Sequence, residues 1–265
     1  MSGRVITITS GKGGVGKSTT TANLALGLAL AGKKVVTVDL DIGLRNLDMI
    51  LGLENRIVYD VVNVVEKVCK LRQALIKDKR ADNLFLIAAA QTRDKSAVKP
   101  EQIIELMNEL KKEFEYVILD SPAGIEGGFR NAMIPADEVI IVTTPEISSV
   151  RDADRVIGIL EANDKEEISL IINRVNPTLV KKGDMMSKDD VLQVLSIPLI
   201  GVVPEDENVV SYTNLGEPSI LHPDSPSGKA YKNITQRILG KDVPFMEIVE
   251  KKKGIINTIM SFFKE

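Results

Sequence analysis

Gly11-Lys12-Gly13-Gly14-Val15-Gly16-Lys17-Ser18 decides the fold. These eight residues satisfy the phosphate-loop pattern G-x-x-x-x-G-K-[ST], in the strand-to-helix context that gives the pattern its meaning. The β-branched run 5–9 precedes them and a helix-forming stretch, 17–30, follows. Gly13, Gly14 and Gly16 allow the backbone to curl so that successive N–H groups face phosphate oxygens. The helix behind them adds the positive end of its dipole. Lys17 is predicted to reach the β- and γ-phosphates, and the Ser18 hydroxyl to hold Mg²⁺. Gly11, Val15 and Thr19 complete the nucleotide-contacting segment.

Working outward, short apolar runs alternate with helical patterns. Strands are predicted at 5–9, 35–39, 84–88, 116–120, 138–143, 168–173 and 199–203, and helices at 17–30, 101–113, 149–162 and 188–195. Several of the strands are almost continuously apolar, as parallel strands covered on both faces are. The alternation predicts an α/β fold, a doubly wound and mostly parallel sheet with helices on both faces. No repeat or long linker divides it. One ATPase domain, 1–244, is expected, with a C-terminal tail, 245–265.

Composition narrows the chemistry. The net charge is -3, which gives no global attraction to nucleic acid. Cys69 is the one cysteine, so there is no intrachain disulfide and no cysteine-held cluster within one chain; it reads as a packing residue. His222 is the one histidine, a poor basis for catalysis or metal binding. The chain starts with no leader, and no apolar run approaches the ~20 residues that span a bilayer. A cytoplasmic protein is expected.

Two runs end in carboxylates where open α/β sheets bind ligands. Asp120 closes an apolar strand as a Walker B aspartate does and is predicted to orient Mg²⁺. Asp41 follows the strand 35–39 and is the candidate for positioning the attacking water, with a second role near the metal. Asp39 is the alternative metal-associated residue, and any of these aspartates alone also suits a helix cap or turn. Gly124, Gly127 and Gly128 suit a loop that rearranges with the γ-phosphate.

With Lys12 included, Lys-Gly-Gly-Val-Gly-Lys-Ser resembles the deviant Walker A motif. Longer strings narrow the resemblance. They are 41–48 (DIGLRNLD), 74–80 (ALIKDKR), 91–95 (QTRDK), 120–126 (DSPAGIE), 145–155 (PEISSVRDADR), 181–185 (KKGDM) and 216–218 (GEP). They are similar to the septum-site-determining branch of the MinD/ParA ATPase family, from about residue 3 to the C-terminus. The resemblance implies an ATP-dependent homodimer in which Lys12 crosses to the nucleotide of the other subunit. It implies Asn173, Arg174 and Pro204 around the adenine. It further implies a MinC-like division inhibitor and a MinE-like activator, met by a helix that starts at Glu146 and carries Ser148, Asp152 and Asp154. Without the resemblance, Lys12 reads as a solvated lysine and that helix face as merely charged.

The tail has its own pattern. At ~100° per residue, Ile255, Ile256, Ile259, Met260, Phe262 and Phe263 fall within an arc of about 160°. Lys251, Lys252 and Lys253 precede them. This pattern predicts a surface amphipathic helix suited to anionic lipid, and with the resemblance it implies a peripheral place on the inner face of the bacterial membrane. One such tail binds weakly, while two on an ATP-bound dimer gain roughly 10²–10⁴ in avidity. The competing reading is a terminal helix docked on the chain's own core. Other family branches remain open: a DNA-partition ATPase, disfavoured by the charge and the tail, an iron–sulfur carrier, disfavoured by the lone cysteine, and a regulator of flagellar placement.

Overall fold

The run before the phosphate loop folds as β1 (Arg4–Thr9), with alternate side chains on opposite faces of a sheet. Ile6 and Ile8 join one core with the helix after the loop, α1 (Lys17–Leu30). Val5 joins the other core with Val36 and Val38 of β2 (Val35–Asp39). The computed structural model describes residues 3–94, 97–125 and 127–248.

After β2 come α2 (Leu47–Ile50), α3 (Val61–Val65), α4 (Leu71–Ala74), β3 (Ile76–Lys77) and β4 (Leu84–Ile87). Next are α5 (Pro100–Glu113), β5 (Tyr116–Asp120), α6 (Gly127–Met133), β6 (Glu138–Thr143) and α7 (Ile147–Glu161). The chain continues through β7 (Ile168–Val175), α8 (Pro177–Lys182), α9 (Lys188–Leu195), β8 (Leu199–Pro204), α10 (Val209–Asn214) and α11 (Pro226–Ile238). The strands form one sheet in the order β3-β4-β2-β5-β1-β6-β7-β8. All neighbours are parallel except β3 with β4. This is the doubly wound α/β architecture that the strand and helix pattern predicts.

The order places β1 between β5 and β6, while the chain from β1 goes first to β2 on the far side of β5. The ends of β1 and its neighbours therefore form a topological switch point, where such sheets bind ligands. Asp39 of β2 pairs in register with Asp120 of β5, so two carboxylates lie side by side at the rim.

Helix α1 is buried along most of its length and packs closely on α11. The approach requires Gly27, where an added Cβ would lie 2.4 Å from Thr235 Oγ1 and 2.7 Å from Ile220 Cδ1. Asn23 of α1 accepts from Ile220 N at 2.8 Å and from Ser219 Oγ at 3.1 Å. Tyr231 of α11 shares a buried hydrogen bond of 3.0 Å with Thr20 Oγ1. These contacts fix the axis of the helix that carries Lys17 and Ser18.

Local features differ from the sequence expectation: α11 and the short helices α2, α3, α4, α6, α8 and α10 are unanticipated, and three others depart from it in detail. The strand predicted to end at Asn173 runs on to Val175, with a register break between Ile172 and Val175. Pairing resumes there and Arg174 takes a left-handed φ of 56°, so two polar residues are held inside an irregular strand. β3 is a two-residue antiparallel strand, too short to carry a periodic signal. Gly127 and Gly128, expected in a loop, open α6. Among the described residues no helix is long and apolar enough to cross a membrane.

Ile234 tests how far α11 supports α1. It is fully buried, and its side chain fills the space that a Cβ on Gly201 of β8 would need. Ile234→Ala is expected to lower unfolding free energy by about 2–5 kcal/mol. Urea unfolding measures this, and an unchanged midpoint would show that the contact is dispensable.

Candidate functional site

Gly14 and Gly16 have φ of 78° and 99°, the left-handed region that glycine tolerates without a Cβ penalty. Gly16 is constrained twice, because an added Cβ would lie 2.2 Å from Asn173 Nδ2. A Cβ on Gly13 or Gly14 would meet no protein atom within 4 Å, so the loop surface is clear there. α1 begins at Lys17 with no side-chain cap and no acidic residue in its first turn. Its first N–H groups thus need an outside acceptor, and the dipole favours an anionic one.

The Lys17 ammonium is buried and donates to Asp120 Oδ1 at 2.8 Å. Burial alone would lower its pKa, but the charge and hydrogen bond of Asp120, together with the charges of Asp41 and Asp39, raise it on balance. Asp41 and Asp39 add smaller contributions of the same sign, which places both near the ammonium. Ser18 Oγ is 3.5 Å from Lys17 Nζ. Thr21 Oγ1 donates to Asp120 Oδ1 at 3.3 Å and to the Lys17 carbonyl at 3.1 Å.

Asp39 is fully enclosed, and its carboxyl is pushed up to about 8, first by burial and then by the charge of Asp120. It accepts from Asp41 N at 2.9 Å and from Leu47 N at 3.4 Å. It therefore anchors both ends of the 41–47 segment, so this alternative metal-associated candidate also organises the loop that carries half-buried Asp41.

The donor set fits magnesium. Ser18, Asp120 and Asp41 offer hard oxygens, and no group of three or more acidic, His or Cys side chains among the described residues forms a metal cage. Mg²⁺ is commonly held by one or two carboxylates together with phosphates and water.

Beside the loop lies a cleft of about 650 Å³, lined by Gly16, Thr19, Asn173, Arg174, Pro204 and Tyr231 among others. The three predicted adenine residues thus come together next to the phosphate loop. Asn173 is buried and donates from Nδ2 to Val15 O at 2.8 Å, which ties the cleft to the loop. Asp206 on the rim accepts from Ser225 Oγ at 2.6 Å and Ser227 Oγ at 2.9 Å. Against burial, these bonds hold its carboxyl below the usual range.

Lys12 is exposed, and its ammonium engages α7. It donates to Ser148 Oγ at 3.1 Å and lies 3.5 Å from Glu146 Oε2. Gly11 packs on the same helix, where an added Cβ would lie 2.3 Å from the Asp152 carbonyl oxygen. Glu146, Ser148 and Asp152 therefore border the phosphate loop, while Asp154 is exposed further along α7. The membrane candidates Ile255, Ile256, Ile259, Met260, Phe262 and Phe263 lie outside the described residues.

Sequence reasoning missed Thr21 and Tyr231. Thr21 has a signal, because i+4 from Lys17 lies on the same helix face. Tyr231 is joined to the site only by the fold.

Removing Lys17 should expose the balance of the buried charges. Lys17→Met leaves Asp39 and Asp120 without their shared cation and is expected to lower stability by about 3–5 kcal/mol near pH 7. The deficit should shrink as pH falls toward about 4. A buried carboxyl with a raised folded pKa gains stability from protonation and loses it as pH rises through that pKa. Adding Asp120→Asn should recover part of the loss. Denaturant melts across pH check this, and equal stability of Lys17→Met and wild type would refute it.

With this geometry established, comparison places the chain. A family profile described as ParA, NUBPL iron-transfer P-loop NTPase, matches residues 2–239. The septum site-determining protein MinD of Helicobacter pylori is 55% identical over 266 residues, covering 98% of each chain. That of Bacillus subtilis is 56% identical over 263 residues, again covering 98% of each. Among solved structures, the MinC:MinD cell division protein complex of Aquifex aeolicus matches with a TM-score of 0.87 at 46% identity. It covers 92% of this chain and 99% of its own. The Pyrococcus horikoshii septum site-determining protein MinD, complexed with Mg-ADP, matches with a TM-score of 0.80 at 29% identity, covering 89% and 95%. The chain belongs to the septum-site-determining MinD family of ParA-type P-loop ATPases.

Proposed function

We propose that this septum-site ATPase works as a dimerising switch in which one ammonium, that of Lys12, reports the nucleotide state to α7. The carrying observation is that Lys12 leans on Glu146 and Ser148 of its own chain. A phosphate-loop lysine held at the protein surface is available to the triphosphate of a facing subunit. Its transfer removes a cation from the first turn of α7, where the resemblance puts partner recognition. ATP thereby drives dimerisation and changes the α7 surface in one exchange.

Within each site, Lys17 and the loop N–H groups bind the phosphates, and Asn173, Arg174 and Pro204 flank the base. Ser18 and Asp120, with Asp41, would hold Mg²⁺, which when bound neutralises charge on the β- and γ-phosphate oxygens. Asp41 orients the attacking water. Phosphoryl transfer of this kind needs position and charge more than a strong base. The Aquifex relative is a complex with MinC, and here we assign the Glu146–Asp154 face to a MinC-like inhibitor and a MinE-like activator. The C-terminal tail attaches the dimer to anionic membrane, and hydrolysis reverses dimerisation and attachment.

Two measurements test the switch. Lys12→Ala should bind ATP within about threefold of wild type yet fail to dimerise, since an exposed ion pair contributes little within the chain. Nucleotide titration beside light scattering reads both, and normal ATP-dependent dimerisation would remove the cross-subunit role. Phe263→Glu should reduce ATP-dependent flotation with anionic vesicles by at least about tenfold, because both tails of each dimer carry the change. Solution dimerisation should persist. Wild-type flotation would exclude the tail as anchor, and a large fall in melting temperature would favour a docked helix instead.

A further inference from the structure

The cleft beside the phosphate loop has a wall drawn from the far end of the chain. After α11, residues 243–248 lie back against the domain, and Arg237 fastens them there. Its Nε donates to Val243 O at 2.9 Å, its Nη2 to Pro244 O at 2.8 Å, and its Nη1 to Ile200 O of β8 at 3.0 Å. Its guanidinium carbon lies 4.2 Å from the centroid of the Phe245 ring. Met246 packs against the core shared by α1 and α11. Ile248 packs against the cluster containing Val175 and Leu195, and it lines the cleft. Val203, Pro204, Val209 and Val210 line the cleft as well. These apolar groups suit the face of a planar heterocycle and offer nothing to a phosphate.

We propose that Ile248 is a positioning residue for the nucleotide base, and that the connector clipped by Arg237 is therefore coupled to base binding. The proposal rests on the reading of this cleft as the base site. A contact present only with the base bound and the connector seated changes both equilibria by the same factor. Nucleotide binding orders the connector, and disturbing the connector weakens nucleotide binding. The chain passes from Ile248 straight into the segment proposed to reach the membrane, so the attachment point of the tail is itself part of the nucleotide site.

The test uses the full chain and two competitors of a ribose-labelled fluorescent ATP, namely ATP and base-free inorganic tripolyphosphate. Ile248→Ala should weaken ATP by about three- to tenfold, the effect of losing a few apolar contacts, and leave tripolyphosphate unchanged. Ile248→Leu should restore ATP affinity to within about twofold, since it conserves volume. ATP, but not tripolyphosphate, should slow amide exchange across residues 245–248. Arg174→Ala and Pro204→Ala serve as cleft controls. If they weaken ATP selectively while Ile248→Ala does not, the base site stands and the role of Ile248 falls. If none of the three separates ATP from tripolyphosphate, the reading of the cleft falls and takes the proposal with it. Exchange that ignores ATP would overturn the coupling.

Discussion

The ion pair between Lys17 and Asp120 is the constraint on which the site depends. Both groups are taken out of water, with side-chain exposures of 7% and 1%. Such a pair is weak evidence for stability, because desolvation can exceed the Coulombic gain. Its location gives it meaning. Asp39 is in register beside Asp120, and Asp41 is near the same ammonium. The rim therefore holds more acidic groups than cations, and the Asp39 carboxyl is pushed up to about 8, first by burial and then by the charge of Asp120. A triphosphate brought here adds further negative charge. On the proposed reading, the loop N–H groups, the α1 dipole and a divalent cation are jointly required to make the site attractive to it.

The phosphate loop is not free to move alone. Asn173 presses on Gly16 and bonds to Val15. The backbone of Asp152 abuts Gly11. Thr21 and Lys17 tie α1 to the end of β5. The cleft lined by Asn173, α7 and the carboxylate rim thus each touch a different part of one short loop. A change in what the loop holds is felt at three surfaces through packed contacts, the physical basis on which two sites can be linked.

What the chain disclosed in advance follows from how local each feature is. The phosphate loop was legible because its backbone angles demand glycine at Gly14 and Gly16 and its chemistry demands Lys17. The strands 35–39, 116–120 and 138–143 were legible because burial on both faces leaves an almost continuous apolar run, and their boundaries match. Asp120 was legible as a polar end to such a run. The role of Asp39 was not, because only the β2–β5 register places it beside Asp120. The continuation of β7 past Asn173 to Val175 was hidden, since a bulge carries polar residues that look like a strand end. The grip of Lys12 on Glu146 and Ser148 spans more than 130 positions in sequence, as the separation of 136 to Ser148 shows, and no local pattern announces it. Ile248 belongs to the cleft only because Arg237 folds the connector back.

The two lysines of the loop divide the labour by exposure. Lys17 is enclosed and bonded to a buried carboxylate, so moving it without a replacement cation would strand Asp120, a loss of several kcal/mol. It is suited to stay and to exchange partners only when phosphate arrives. The side chains of Lys12 and Glu146 are 43% and 57% exposed. An ion pair that open contributes about 0–1 kcal/mol, and water replaces either partner readily. Lys12 can therefore leave α7 with little loss to its own fold, and in the proposed dimer a desolvated triphosphate of the facing subunit would be a stronger partner than Glu146. On the proposed reading, the difference in solvation between two lysines five positions apart in the chain makes one a fixture of the site and the other the carrier of its state across an interface.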